Sequence, residues 1–116
     1  MAHPYTTKFR VRTKVKDNIK EEFNDSVLDE LIEESDSIID SYLNQYYDVT
    51  QLSSTIGIIS TLSTIISSGM ITGTTFQDFD QSASTWESKL LNQAKNILKL
   101  IQDGTMSIPG LTRIGV

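Results

Sequence analysis

The chain has 116 residues, a mass of 13.0 kDa and a formal net charge of −5, which bounds it to one domain of ordinary size. The complete lack of cysteine excludes disulfide scaffolds, Cys-ligated zinc and thiol catalysis. Charge is laid out in blocks: six bases against one acid over residues 8–20, ten acids and no Lys or Arg over 21–48, no charge over 49–77, and a balanced mixture thereafter. Such blocks suit two solvated faces or a charged partner, including a basic arm reaching the acidic face of a neighbouring copy.

Residues 5–12 alternate, with Lys8, Arg10 and Arg12 on one side and Phe9 and Val11 on the other. That pattern predicts a strand or extended basic arm, so residues 1–12 are set apart from a helical domain over 13–104. Thr13 is placed to cap a short helix to about Phe23, with Val15, Ile19 and Phe23 four apart. A second helix is predicted from about Val27 to Tyr46, opened by Ser26 with Asp29 three residues on. Its stripe is Leu28, Leu31, Ile32, Ile38, Ile39, Tyr42, Leu43 and Tyr46; Asp29, Glu30, Glu33, Glu34, Asp36 and Asp40 fill the rest of the circumference as an exposed acidic surface.

A third helix is expected over residues 53–69, with Ile56, Ile59, Leu62 and Ile66 on one stripe and Ser or Thr at nearly every other position. Small hydroxyl side chains let helices approach closely and bond back to their own backbone, so this helix should be covered on two sides. A β-prone segment is the alternative, since Ile and Thr also favour strands. A turn follows from Gly69 to Thr75. The last helix is predicted from about Asp80 to Asp103, with Ala83, Trp86, Leu90, Ala94, Ile97, Leu98 and Ile101 on one face and Gly104 as its left-handed cap. Residues 105–116 form an extended tail in which Met106, Ile108, Leu111 and Ile114 are apolar and Pro109-Gly110 breaks regular pairing. The fold class is therefore all-α: a small bundle of about four helices with an extended arm and an extended tail. Its expected core is Ile32, Ile39, Leu43, Leu62, Ile66, Leu90, Ala94, Leu98 and Ile101.

The uncharged stretch over 49–77 is 29 residues long but holds 13 Ser or Thr, and its apolar runs stop at two residues, such as Ile58-Ile59. A bilayer-spanning helix needs far more apolar surface, and no signal-peptide core opens the chain. No catalytic, cofactor or metal site is read from the chain. His3 is the sole histidine and supplies neither a dyad nor a metal triad. Asp29/Glu33 and Asp36/Asp40 are spaced like paired carboxylates but read as solvated surface. Gly69 and Gly73 lack the Lys-Ser/Thr of a phosphate loop. Tyr42, Tyr46 and Tyr47 read as closure of the core at a helix end.

The stretch Asn92 to Gly110, Asn-Gln-Ala-Lys-Asn-Ile-Leu-Lys-Leu-Ile-Gln-Asp-Gly-Thr-Met-Ser-Ile-Pro-Gly, resembles the end of the small head–tail connector (adaptor or head-completion) proteins of tailed phages and related viruses. Leu28-Asp29-Glu30-Leu31-Ile32 through Ile38-Ile39-Asp40-Ser41-Tyr42-Leu43, followed by Tyr46-Tyr47-Asp48-Val49, is similar to the acidic helix and Tyr-rich turn of that family. The resemblance covers about residues 14–110. The chain departs from the family pattern in its Ser/Thr-rich third helix and in lacking prolines after the Tyr-rich turn.

The resemblance implies a non-enzymatic virion protein, made in the host cytoplasm. It would form a homo-oligomeric ring, commonly twelvefold, beneath the portal protein, offering the tail a platform and letting DNA pass without specific binding. Met106, Ile108, Pro109, Leu111 and Ile114 are then read as the element that meets the portal or an adjacent subunit, with the tail poorly ordered until it does so. Lys8, Arg10, Arg12, Glu30, Glu33 and Glu34 are read as contacts between subunits or with a charged partner. Two other readings stay open: a small DNA-binding module using Lys8, Arg10, Arg12, Lys14, Lys16 and Lys20 on phosphates, and a small dimeric regulatory protein.

Overall fold

The computed structural model describes residues 3–15, 24–71, 76 and 85–114. Among them the fold is all-α, with four helices: α1 Lys8–Val15, α2 Asp25–Leu43, α3 Gly57–Gly69 and α4 Trp86–Gln102. A single 3-10 turn, Val49–Gln51, lies between α2 and α3.

Helix α1 occupies most of the segment whose alternation predicts an extended arm, and this corrects that expectation. Thr7 opens it: its carbonyl accepts the Val11 N–H at 3.2 Å and its Oγ1 accepts the Arg10 N–H at 3.2 Å. Eight residues cannot hold a helix alone in water. Tertiary burial decides the matter: an extended chain would put Phe9, Val11 and Val15 on one side, whereas the helix buries Val11 and Val15 with Leu28, Ile32 and Ile71 and leaves Phe9 exposed. The cap expected at Thr13 is instead a back-bond, with Thr13 Oγ1 donating to the Phe9 carbonyl. Residues 16–23, which hold Ile19 and Phe23 of the predicted first helix, lie outside the described residues.

Helix α2 starts two residues earlier than its predicted opening. Asn24, not Ser26, is the cap: its side-chain oxygen accepts the Val27 N–H at 2.9 Å. Helix α3 sits at the centre of the fold and packs against α1, α2 and α4. That position explains its composition. Ser60, Ser63, Ser67 and Ser68 are buried beside Ile59, Leu62, Ile65 and Ile66, so the charge-free hydroxyl face is a packing face. The helix alternative is thereby chosen over the β-prone one, since a helix satisfies its own backbone while presenting every side to a neighbour. At its end Gly69 admits α4 closely: a Cβ there would lie 2.6 Å from Leu91 Cδ2.

Helix α4 is capped by Thr85, whose hydroxyl accepts the Ser88 N–H at 3.3 Å. The residues from Asp80 to Ser84 predicted as its first turns lie outside the described residues. It ends as expected, with Gly104 at φ +85°. All nine residues expected in the core are buried, Ile32 beneath α1 and the other eight in the main cluster. Tyr47 joins that cluster and Tyr42 and Tyr46 pack on it half-buried, closing the core where α2 ends.

The tail corrects a second expectation. Rather than waiting for a partner, residues 105–114 fold back on their own chain. Ile108 is buried in the main core, and Met106 and Leu111 pack against it half-buried. The Ile108 N–H donates to the Tyr47 hydroxyl at 3.4 Å, and the Ile114 N–H donates to the Tyr46 carbonyl at 2.8 Å. Arg113 donates to the Ile101 carbonyl at 2.7 Å and to the Gln102 carbonyl, while its guanidinium lies 4.5 Å from the Tyr46 ring centre. The carbonyls at a helix C-terminus have no partners within the helix. A cation from the tail fills that role here. The physical reason for the correction is that folding back takes Ile108 out of water into the main core and gives the last carbonyls of α4 a donor in Arg113.

Candidate functional site

The exposed acidic surface expected of α2 is divided in two by the structure. Asp29, Glu30, Glu33 and Glu34 are exposed, but Asp36 is fully buried and Asp40 is half-buried. Asp36 stands four residues from Ile32 and three from Ile39, inside the stripe of buried positions. The Ser63 hydroxyl of α3 donates to its Oδ1 at 2.6 Å, and the Tyr5 N–H donates to its Oδ2 at 3.0 Å. One turn on, Asp40 accepts the Tyr5 hydroxyl at 2.5 Å and pairs with His3 Nε2 at 2.8 Å. The His3 and Tyr5 rings meet edge to face, 4.4 Å between centroids.

The i, i+4 carboxylates thus fasten the segment before α1 onto α2. Burial pushes the Asp36 carboxyl above its usual range, although the bonds from Ser63 and Tyr5 pull the other way. Burial raises the Tyr5 phenol as well, reinforced by its bond to Asp40. The signal for this arrangement was present in the chain. Ser35 and Asp36 interrupt an apolar stripe, and Ser60, Ser63 and Ser67 run at steps of three and four on the helix that faces it. Ser35 and Ser67 are joined at 2.8 Å and Thr6 and Thr64 at 2.6 Å. These buried polar groups are matched in pairs, as burial requires, while the hydroxyl of Ser68, also buried on α3, has no hydrogen-bond partner among the described residues. A cleft of about 550 Å³ lies between this segment and α2, with Thr6, Lys8, Asp29, Glu33 and Asp36 among its walls.

The candidate charged contacts sort into two sets. Lys8 reaches Asp29 at 3.4 Å and Arg12 reaches Asp25 at 2.8 Å, so basic α1 lies on the start of acidic α2 within one chain. The hydrogen bond from Arg12, with Lys8 nearby, holds the Asp25 carboxyl below its usual range. Arg10 turns the other way, to the Ser60 hydroxyl of α3. Glu30, Glu33 and Glu34 remain on the open face of α2.

Of the candidate tail contacts, Ile108 is committed to the core. Pro109 and Ile114 stay exposed, and Met106 and Leu111 are half-exposed against the core. Among the described residues no group of three or more His, Asp or Glu side chains is placed to hold a metal ion, and no helix is long and apolar enough to cross a membrane. No family model matches the chain, and no curated protein or solved structure matches it.

Proposed function

We propose that the protein is a structural subunit of a head–tail connector: an adaptor that assembles as a ring beneath a portal, lines the DNA path and presents a platform to the tail. The resemblance over residues 14–110 supports the reading. The structural observation that carries it is the pair of unlike faces on one small helical body. One is the outer side of basic α1; the other is the open side of α2 with Glu30, Glu33 and Glu34. A ring subunit needs two different surfaces that meet in each neighbour, and an acidic wall lets DNA slide because it repels phosphate. The intramolecular pairing of Lys8 and Arg12 with acids weakens the reading of the basic segment as a phosphate-binding stretch.

The test is co-sedimentation of the purified chain with portal-bearing heads of the virus that encodes it, followed by imaging of the portal vertex. Added density at the portal is the expected result. Heads that leave the protein in the supernatant, together with tight and steeply salt-dependent binding to random duplex DNA, overturn the adaptor in favour of a DNA-binding module.

A further inference from the structure

Helix α1 carries its bases in two pairs, each one turn apart. Lys8 and Arg12 form one pair and are used inside the chain by Asp29 and Asp25. Arg10 and Lys14 form the other. They border a groove of about 500 Å³ between α1 and α3, with Thr61, Thr64 and Ile65 as its far wall and Phe9 at its rim. Phe9 is 77% exposed, against 48% for Ile114 and 36% for Leu100, the other exposed large apolar side chains among the described residues. An aromatic ring left in water beside two cations is an unusual arrangement for a short helix whose other apolar residues, Val11 and Val15, are buried.

Helix α2 divides its acids in the same way. Asp25 and Asp29, one turn apart, are used by α1 of the same chain; Glu30 and Glu34, also one turn apart, are exposed with Glu33 beside them. Side chains four apart on a helix lie about 5–6 Å from each other, so Arg10/Lys14 and Glu30/Glu34, which make no ion pair among the described residues (the Arg10 side chain bonds only the neutral Ser60 hydroxyl), have matching spans. The internal contact also fixes a direction. Lys8 meets the later acid and Arg12 the earlier one, so the helices run antiparallel along that seam. Repeating the same antiparallel direction between copies sets Arg10 against Glu34 and Lys14 against Glu30. Phe9 then falls beyond Glu34, over the small exposed Ser37 and the half-buried Ile38. Cation, anion and aromatic ring all find partners in one crossing.

We infer that the groove bordered by Phe9, Arg10 and Lys14 receives the open face of α2, Glu30 to Ser37, of a second copy of this chain. The two patches lie on different helices, so a contact made without its two-fold counterpart is head-to-tail and leaves one of each patch free at the ends, to close a ring or extend a row. The inference rests on the reading of the chain as a self-assembling subunit and assigns the surfaces through which it assembles.

The test uses two full-length variants. R10E/K14E makes the groove acidic, and E30K/E34K makes the α2 face basic; all four positions are exposed and, although the first variant gives up the Arg10 bond to Ser60, far-ultraviolet circular dichroism should show the helices kept. By sedimentation velocity across a concentration series, the natural chain should self-associate and each variant alone should do so about tenfold more weakly or worse, since each now opposes like charges. Mixed in equal amounts, the variants should associate again, because each keeps the patch the other lacks. Phe9→Ser should weaken association without altering the charge pattern.

Self-association that neither charge reversal disturbs overturns the inference and leaves the connector reading standing. So does a natural chain that stays monomeric throughout while still binding portal-bearing heads. Charge reversal of the groove that abolishes binding to duplex DNA but spares self-association also overturns it, assigning Arg10 and Lys14 to nucleic acid instead.

Discussion

Ser63 of α3 donates a 2.6 Å hydrogen bond to the fully buried carboxylate of Asp36 on α2. This is a hydroxyl meeting an acid across the contact that the buried Ser35–Ser67 pair also joins. Removing one partner of a buried pair leaves the other without its bond, which costs about 1–3 kcal/mol and more when the orphan is charged. Ser63→Ala should therefore destabilise by about 2 kcal/mol or more. Chemical denaturation at neutral pH measures it. A cost under about 0.5 kcal/mol, the range of ordinary surface changes, would show that the bond does not fix the two helices.

The Asp36 carboxyl has its pKa raised in the folded chain, chiefly by burial. The folded state therefore holds the Asp36 proton at pH values where the unfolded chain has released it. The stabilisation this provides is fully present below the unfolded carboxylate value and is lost as pH rises through the raised one. Asp36→Asn removes this dependence. The melting temperature of the natural chain, measured against Asp36→Asn, should rise as pH is lowered from 7 towards 4. A constant difference across that window would refute the assignment.

At Gly69 a Cβ would lie 2.6 Å from Leu91 Cδ2 and 3.3 Å from the Glu87 carbonyl, and Leu91 is fully buried. Gly69→Ala should cost about 1–3 kcal/mol through overpacking, despite the better helix propensity of Ala. Adding Leu91→Ala should recover part of that loss, so the double variant is more stable than the sum of the singles. Strict additivity in a double-mutant cycle would refute the close approach.

Leu98 is fully buried on α4 within the main core. Leu98→Ala should lose about 2–5 kcal/mol, as large-to-small core changes do, read from the denaturation midpoint. A cost near zero would mean that this face of α4 is not the packed one.

Deleting residues 106–116 removes buried Ile108 together with the Arg113 bonds to the last carbonyls of α4. The loss of Ile108 alone corresponds to about 2–5 kcal/mol, so the melting temperature should fall by roughly 10 °C or more. Circular dichroism melts of the full and truncated chains test this. An unchanged melt would mean that the tail is a free strap, as its composition on its own suggests.

Much of this fold was written locally. The stripes of α2, α3 and α4 follow from periodicity, and all nine expected core residues are buried because a helix with one apolar side has a single way to hide it. Gly104 marks the end of α4 because its left-handed conformation suits glycine. The acidic and basic blocks were equally legible, but not that Lys8 and Arg12 meet Asp29 and Asp25 of the same chain.

The tertiary structure decided the remainder, wherever a short segment had two local solutions. Phe9, Val11 and the bases between them alternate like a strand, and only the surface formed by Leu28, Ile32 and Ile71 makes Val11 and Val15 a helical pair. The tail reads as extended and unclaimed until the Tyr46–Tyr47 end of α2 and the final carbonyls of α4 come together to receive Ile108 and Arg113. Asp36 counts as surface in any tally of charge, and becomes interior only because Ser63 and the Tyr5 backbone arrive from distant parts of the chain to bond it. A periodic pattern fixes which side of an element is buried, but what a polar residue on that side will meet depends on a partner far away in the chain.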